Sequence, residues 1–349
     1  MPVSWRFLSR FSRPLVGVAL VLGLSACTSD LPQTTLYPKG TSASLVHDLL
    51  QPIFWTAVAV FVIVEGLLVY SVARFRSRRD PKAIPFQLHG NTPLEIAWTI
   101  APAIVLGIIF FLTVSTINAV GDLPKSANAI NVRVIGHQWW WEFQYPDLKL
   151  VTASDMHIPA GQTVAYTLES VDVIHSFWVP QLGGKTDLIP GHINKGSFSA
   201  DQPGEFFGQC AEFCGQQHAQ MRFHVIADTA ADFQAWVKNQ QSLPPALAGK
   251  AKDGADLFAK IGCAGCHTIA GTNAIGLVGP NLTHFGSRNT IAAGVLANTP
   301  DNLRAWLRDP EKVKPGNDMS AFMTTTVKGW GASAGQNIDL LVEYLTSLK

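Results

Sequence analysis

Charge is scarce in this 349-residue chain: Asp, Glu, Lys and Arg make up 15% of it, against 47% hydrophobic residues. That balance leans towards a membrane protein, since soluble domains carry about a quarter charged residues. Cysteine is scarce too. There are five, and each falls where it has a chemical role of its own, so none is left for a disulfide and a disulfide-stapled scaffold is excluded. The formal net charge of +1 points to no partner by itself. No internal repeat is apparent, and a chain of this length is expected to hold two or three units.

What is present is concentrated. Cys210, Glu212, Cys214, His218 and Met221 sit within twelve residues, and His175 lies thirty-five positions upstream of Cys210. Two cysteines four residues apart can bridge two copper ions through both sulfurs. Each ion then takes one imidazole, from His175 or His218, and one weak axial donor, the Met221 sulfur or the Glu212 backbone carbonyl. Soft thiolates and thioethers favour copper over harder metals, and such a site moves electrons rather than binding substrate. A structural zinc site is the competing reading, but zinc has no use for Met221 and its usual ligand spacings differ.

Cys263-Ala264-Gly265-Cys266-His267 is the c-type haem attachment pattern: two thiols for the porphyrin vinyls and an adjacent imidazole for iron. The fifth cysteine, Cys27, ends Leu24-Ser25-Ala26-Cys27. Arg6, Arg10 and Arg13 precede an apolar run from Leu15 to Leu24, too short to span a bilayer, and the whole reads as a signal peptide. The segment resembles a bacterial lipoprotein signal, in which Cys27 is lipidated and becomes the new N-terminus. The alternative is an idle cysteine in a discarded leader.

Two real spans follow. Ile53–Ala73 carries a single charge, Glu65, and Ile96–Ile117 carries none. Both suit the ~30 Å hydrocarbon thickness at about 1.5 Å per residue. Between them lie Arg74, Arg76, Arg78, Arg79 and Lys82, so the positive-inside rule makes this loop cytoplasmic and sends both ends of the mature chain outwards. Glu65 reads as a protonated or paired residue packed on a partner helix, because a carboxylate rarely faces lipid. Glu95 reads first as a solvated cap at the end of the second span.

After Gly121 the texture becomes alternating. Ile130, Val132 and Val134, then Val164, Tyr166 and Leu168, then Met221, Phe223 and Val225 interleave with other residues, punctuated by Pro-Gly turns. Period-two alternation of this kind predicts short strands of a β-sandwich. Residues 122–238 hold 12 acids and 7 bases, a negative field that would draw a basic partner. A short helix over 232–239 closes this unit, and Ser242-Leu243-Pro244-Pro245-Ala246 reads as a linker. Helical patterns return at 254–261, 301–308 and 338–348, the short helices expected around a covalently bound haem. The sixth iron ligand should be a thioether, since His/Met ligation raises the potential. Met319 is favoured because the Lys314-Pro315-Gly316-Asn317 turn can present it, with Met323 as the alternative or a core residue.

The copper motif, the Asp172-Val173-Ile174-His175-Ser176-Phe177 segment, Gly136-His137-Gln138-Trp139-Trp140-Trp141 and the hairpin together resemble subunit II of haem–copper cytochrome c oxidases. The fused haem domain resembles the caa-type branch. The resemblance implies a cupredoxin with a binuclear copper A centre that reduces haem in subunit I, which turns oxygen into water and pumps protons. It also implies that Trp139 is the exposed tryptophan through which electrons arrive, with a core or interface aromatic as the plainer reading. Glu212 is implied to reach a magnesium or manganese shared with subunit I. Glu95 is implied to stand at the mouth of a proton channel, and Asp172 to lie near the cytochrome docking face. Gln144 departs from relatives that often carry a docking carboxylate there.

The expected protein is therefore a multidomain membrane protein: a lipoprotein-type signal peptide (1–26), an N-terminal segment and two-helix transmembrane hairpin (27–120, helices about 51–74 and 94–118), an all-β cupredoxin sandwich (121–240), a linker (241–250) and an all-α cytochrome c domain (251–349). The haem domain hangs from the linker and can reach the docking face. Expected cofactors are copper A (two Cu), haem c, and magnesium or manganese. Expected partners are oxidase subunit I and subunit III, cytochrome c or another donor, and the membrane, with no nucleic acid. The location expected is the bacterial cytoplasmic membrane, multi-pass, with copper and haem on the periplasmic face. A stand-alone membrane-anchored carrier and a copper-sensing module are the alternatives. The first has no need of a proton-channel acid and the second none of haem. A nitrous oxide reductase shares the copper centre but needs a large further domain, for which there is no room.

Overall fold

A computed structural model describes residues 31–76, 87, 89–121 and 129–349. The signal segment 1–26, Cys27 and the loop residues Arg78, Arg79 and Lys82 lie outside the described residues. Two helices, α1 (Thr41–Phe75) and α2 (Thr92–Gly121), are long and apolar enough to cross a membrane. Glu65 is exposed on α1 and lines a shallow pocket that Ile109 of α2 also borders. Both exceed the ranges expected from hydropathy, and α1 starts ten residues earlier. Its 35 residues extend ~50 Å, more than the hydrocarbon thickness requires. The extra turns mix Thr41, Ser42, Ser44, His47 and Asp48 with apolar residues, which is why an apolar run misses them. They are held by the β-sandwich instead: Lys39 N–H donates to the Gln181 carbonyl (2.8 Å), Ala43 N–H to that of Leu182 (3.2 Å), and the Thr41 and Ser199 hydroxyls lie 2.9 Å apart.

The sandwich contains β1 (Ile130–His137), β2 (Trp140–Tyr145), β3 (Leu150–Ala153), β4 (Asp155–Pro159), β5 (Val164–Ser170), β6 (His175–Trp178), β7 (Thr186–Leu188), β8 (Asn194–Phe198), β9 (Gly204–Cys210) and β10 (Arg222–Asp228). One sheet runs β3-β2-β1-β5-β8 and the other β4-β10-β9-β6-β7. Inward positions of both sheets supply the core, including Val134, Trp141, Phe143, Leu168, Phe177 and Phe223, so alternation in sequence becomes the dry interior. Phe177 and Phe223 stack at 4.7 Å with Trp141 against Phe223 at 5.1 Å. This aromatic floor lies directly under the strand ends β6, β9 and β10. The chain passes from one sheet to the other at Ser154, which takes a left-handed conformation (φ 67). Helix α3 (Ala230–Gln240) closes the unit, and Thr229 caps it by accepting from Asp232 N–H, a contact worth about 1 kcal/mol.

The C-terminal domain has its own core. Helices α4 (Gly249–Lys260), α5 (Pro300–Arg308), α6 (Pro310–Val313), α7 (Met319–Trp330) and α8 (Ala334–Ser347) enclose Phe258, Ile269, Leu303, Leu307, Met323 and Leu341. Thr299-Pro300 and Asp309-Pro310 start α5 and α6 in the same way, with a capping oxygen followed by proline at the first helical position. The domain is not wholly helical: a two-stranded hairpin, β11 (Thr290–Ile291) and β12 (Leu296–Ala297), interrupts it. This domain also does not hang free. It lies against the sandwich, with Arg222 N–H donating to the Ala293 carbonyl (3.1 Å) and Lys314 Nζ to the Trp139 carbonyl (2.7 Å).

Candidate copper and haem centres

The ends of three neighbouring strands gather the sulfur and imidazole donors. His175 opens β6, Cys210 ends β9, and Met221 stands just before β10. Cys210 N–H donates to the Met221 carbonyl (2.9 Å) and Ala211 N–H to that of Ser176 (3.0 Å), which closes the loop at its neck. Within the loop, Cys210 Sγ lies 3.7 Å from Cys214 Sγ, 3.9 Å from His175 Nδ1 and 3.2 Å from the Glu212 carbonyl oxygen. Cys214 Sγ lies 3.8 Å from both His218 Nδ1 and Met221 Sδ. The sulfurs are too far apart for a disulfide, which needs ~2.05 Å. They are close enough to share an ion at ~2.3 Å from each.

Electrostatics prepare the pair. Cys210 is pushed well below the usual thiol range, first by its hydrogen bond with Cys214 and then by His175 and the loop's backbone groups, against the effect of burial. Cys214 is driven up for the converse reason, because its proton is the one the two sulfurs share. Two metal cations would displace that proton and leave both as thiolates. His175 is aimed by Asp172, whose carboxylate accepts from Nε2 at 2.7 Å and so leaves Nδ1 facing the sulfurs. Burial opposes ionisation of Asp172, but His175 and the N–H groups of Val173 and Gln138 hold it below the usual carboxylate range. Asp172 is exposed at this end of the sandwich, and its carboxylate also turns onto the His175 ring. Sequence reading missed this role, although the three-residue spacing to His175 was the available signal.

The haem motif lies in the C-terminal domain and faces the copper domain across a shared cavity. Cys263, Cys266 and His267 line a cavity of about 320 Å³ together with Met319, Trp139 and Trp140. His267 Nδ1 donates to the Pro280 carbonyl (2.8 Å), which leaves Nε2 for iron. Burial lowers its pKa and keeps the ring neutral, the form that binds metal. Met319 lines the cavity, whereas Met323 is fully buried in the domain core. A thiol pair, an imidazole with one free nitrogen and a thioether around an apolar cavity fit a haem c. The copper residues equally fit a two-copper centre. Gly279 permits the His267 position, since a Cβ there would come 2.5 Å from the ring. Gly279→Ala is expected to displace that ring, costing about 1–3 kcal/mol of stability and lowering haem content per chain, as read from the haem spectrum of the purified protein.

Trp139 is half-buried beneath the haem domain rather than exposed. Its Nε1 donates to the Cys214 carbonyl at 2.9 Å, beside Gln138 Nε2 at 2.8 Å. Lys314, pushed down to about 7 by burial, donates to the Trp139 carbonyl from the haem side. Gln144 is engaged by Arg133 Nη1 at 3.2 Å. Glu95 is far from both centres. Its carboxylate accepts from Asn91 N–H (3.3 Å) while Asn91 accepts from Leu94 N–H (3.2 Å), a reciprocal cap at the start of α2. The Glu212 carboxylate makes no hydrogen bond or ion pair among the described residues.

Comparison with known proteins follows this division of the chain. Residues 36–115 match the transmembrane domain of cytochrome c oxidase subunit II, 148–228 its periplasmic domain, and 251–349 cytochrome c. The periplasmic match omits β1 and β2, which carry Trp139's neighbours and complete the first sheet. Cytochrome c oxidase subunit 2 of Alkalihalophilus pseudofirmus is 37% identical over 350 residues, 99% of this chain and 98% of the relative. The protein of the same name from a Bacillus species is 37% identical over 364 residues, 99% of this chain and 98% of its own. Quinol oxidase subunit 2 of Bacillus cereus is 34% identical but covers 67% of this chain and 81% of itself. Both thiols of the copper loop and a haem attachment motif are present here, and the match to the first two relatives runs end to end. The chain belongs to the cytochrome c oxidase subunit 2 family.

Proposed function

We propose that this subunit receives electrons from cytochrome c or another donor on its own fused haem and passes them through copper A to subunit I, which reduces oxygen to water and pumps protons. The observation that carries this reading is one side chain that joins the two sites. Trp139 walls the haem cavity on one side and donates to the Cys214 carbonyl on the other. When bound, the two coppers supply a fast one-electron relay, and haem c supplies the preceding one. The protein's part is to hold the donors still. Asp172 fixes the His175 ring, the loop neck fixes both sulfurs, and Pro280 fixes His267. Met319, on the cavity wall, would offer its thioether to the iron of a bound haem.

A partner surface supports assembly with subunit I, and with subunit III beyond it. Val173, Ile174, Ile189, Ile193 and Phe213 are exposed near the copper end of the sandwich, with Phe213 75% exposed. An apolar cluster of this kind marks a protein interface. The free Glu212 carboxylate beside it suits a magnesium or manganese shared with subunit I. The hairpin α1–α2 spans the membrane twice, with copper and haem on the periplasmic face. Isolation of the chain from membranes should bring subunit I with it, and recovery of the subunit alone with full copper and haem would favour a stand-alone carrier.

Glu95 marks the cytoplasmic end of α2 and takes the proton-channel role. Glu95→Gln keeps the Asn91 acceptor but cannot exchange a proton. Oxygen-reduction turnover of the assembled oxidase should fall, with copper and haem contents normal and copper reduction by the haem domain still fast. Unchanged turnover across pH would leave Glu95 as a helix cap alone.

A further inference from the structure

Asp155 is a carboxylate of the copper domain buried to 1% exposure, yet every side-chain hydrogen bond it makes is with the haem domain. Its Oδ2 accepts from Asn289 N–H (2.7 Å) and Thr290 N–H (3.3 Å), and its Oδ1 from the Thr290 hydroxyl (2.6 Å). A buried carboxylate is tolerated only when its oxygens are satisfied, so these three donors specify a single register. Beside it the Arg288 guanidinium is brought down to about 10 by burial, with Asp155 acting in the opposite direction.

The backbone on both sides is shaped for this contact. Left-handed Ser154 turns the chain between sheets immediately before Asp155. Opposite it, Ala292, Ala293 and Gly294 are successively left-handed (φ 54, 60 and 74). Non-glycine residues persist in that region when surrounding contacts over-determine them. Here the Ala293 carbonyl accepts from Arg222 N–H, and a Cβ at Gly294 would come 3.2 Å from the Arg222 Cβ and the Phe223 nitrogen. A second anchor, Lys314 to the Trp139 carbonyl, lies elsewhere on the haem cavity wall.

We propose that Asp155 is a positioning residue that clasps the haem domain to the copper domain in one fixed register, so that the fused haem is held over Trp139 instead of swinging on residues 241–250. The benefit to electron transfer rests on the haem-to-copper direction proposed above, but the clasp itself does not.

The test uses the full-length holoprotein and its Asp155→Ala and Thr290→Val variants, read by amide exchange and by haem-to-copper transfer after photoreduction at varied viscosity. In the unaltered protein, amides 289–290 and 222 should be protected, and transfer should be independent of viscosity. In Asp155→Ala, exchange at these amides should rise about tenfold or more, the scale of losing hydrogen bonds to a buried charge. Transfer should slow and become viscosity-dependent, while copper content, haem content and haem midpoint potential stay unchanged. Thr290→Val should move both readouts the same way from the haem side, and the double variant should be less than additive. It also serves if Asp155→Ala fails to fold. Native exchange at 222 and 289–290 in a correctly loaded variant, or viscosity-dependent transfer in the unaltered protein, overturns the clasp. Absence of any haem-to-copper transfer, with exchange still responding to the variants, instead removes the proposed direction of flow and leaves the clasp standing.

Discussion

Cys214→Ser is expected to abolish the mixed-valence two-copper signal of the purified protein while leaving its haem attached. The two sulfurs stand 3.7 Å apart, and Cys214 is also the one nearest to His218 and Met221, at 3.8 Å each. Losing it therefore removes the second bridge and separates half of the remaining donors from the thiolate at Cys210. A serine hydroxyl is a harder donor that does not ionise at neutral pH, so it cannot replace a soft bridging thiolate. At most one copper should remain, with the spectrum of a mononuclear site. Haem attachment should survive, because Cys263 and Cys266 belong to a domain with a separate core. Electron paramagnetic resonance and metal analysis of the same sample decide the matter. A normal two-copper spectrum in Cys214→Ser would falsify the bridging assignment.

The copper donors were legible in sequence because five of the six lie on one loop, where spacing alone brings them together. His175 was assigned on donor chemistry alone from thirty-five residues away, and nothing local says that β6 lies beside β9. The pairing of Phe177 with Cys210 is what places it there. Residues whose roles arise from long-range contact were not legible. Nothing in the sequence pairs Asp172 with His175 or singles out Asp155; the fold sets the first carboxylate against the His175 ring and the second against Asn289 and Thr290. The burial of Trp139 has the same origin. Hydropathy likewise found the apolar part of α1 but not its first turns, which the sandwich holds.

Trp139→Leu is expected to slow electron transfer from haem to copper while leaving copper and haem contents unchanged. The indole supplies both a wall of the haem cavity and the hydrogen bond to the Cys214 carbonyl, and leucine supplies neither the ring nor the donor. The contacts that hold the two domains in place do not depend on that side chain. Lys314 bonds to the main-chain carbonyl of residue 139, Asp155 bonds to Asn289 and Thr290, and Gln138 Nε2 still holds the Cys214 carbonyl. Docking and copper geometry should therefore persist, so a changed rate reports on the path itself. Loss of a positioned contact of this kind costs on the order of 10- to 100-fold in rate. The measurement is transient absorption at the haem and copper bands after photoreduction of the haem, in the full-length protein. The slowed rate should also remain independent of viscosity, which separates loss of the path from loss of the clasp. Trp140 stacks on His137 at 4.0 Å and also lines the cavity, so it is the alternative route if Trp139→Leu transfers electrons at the unaltered rate.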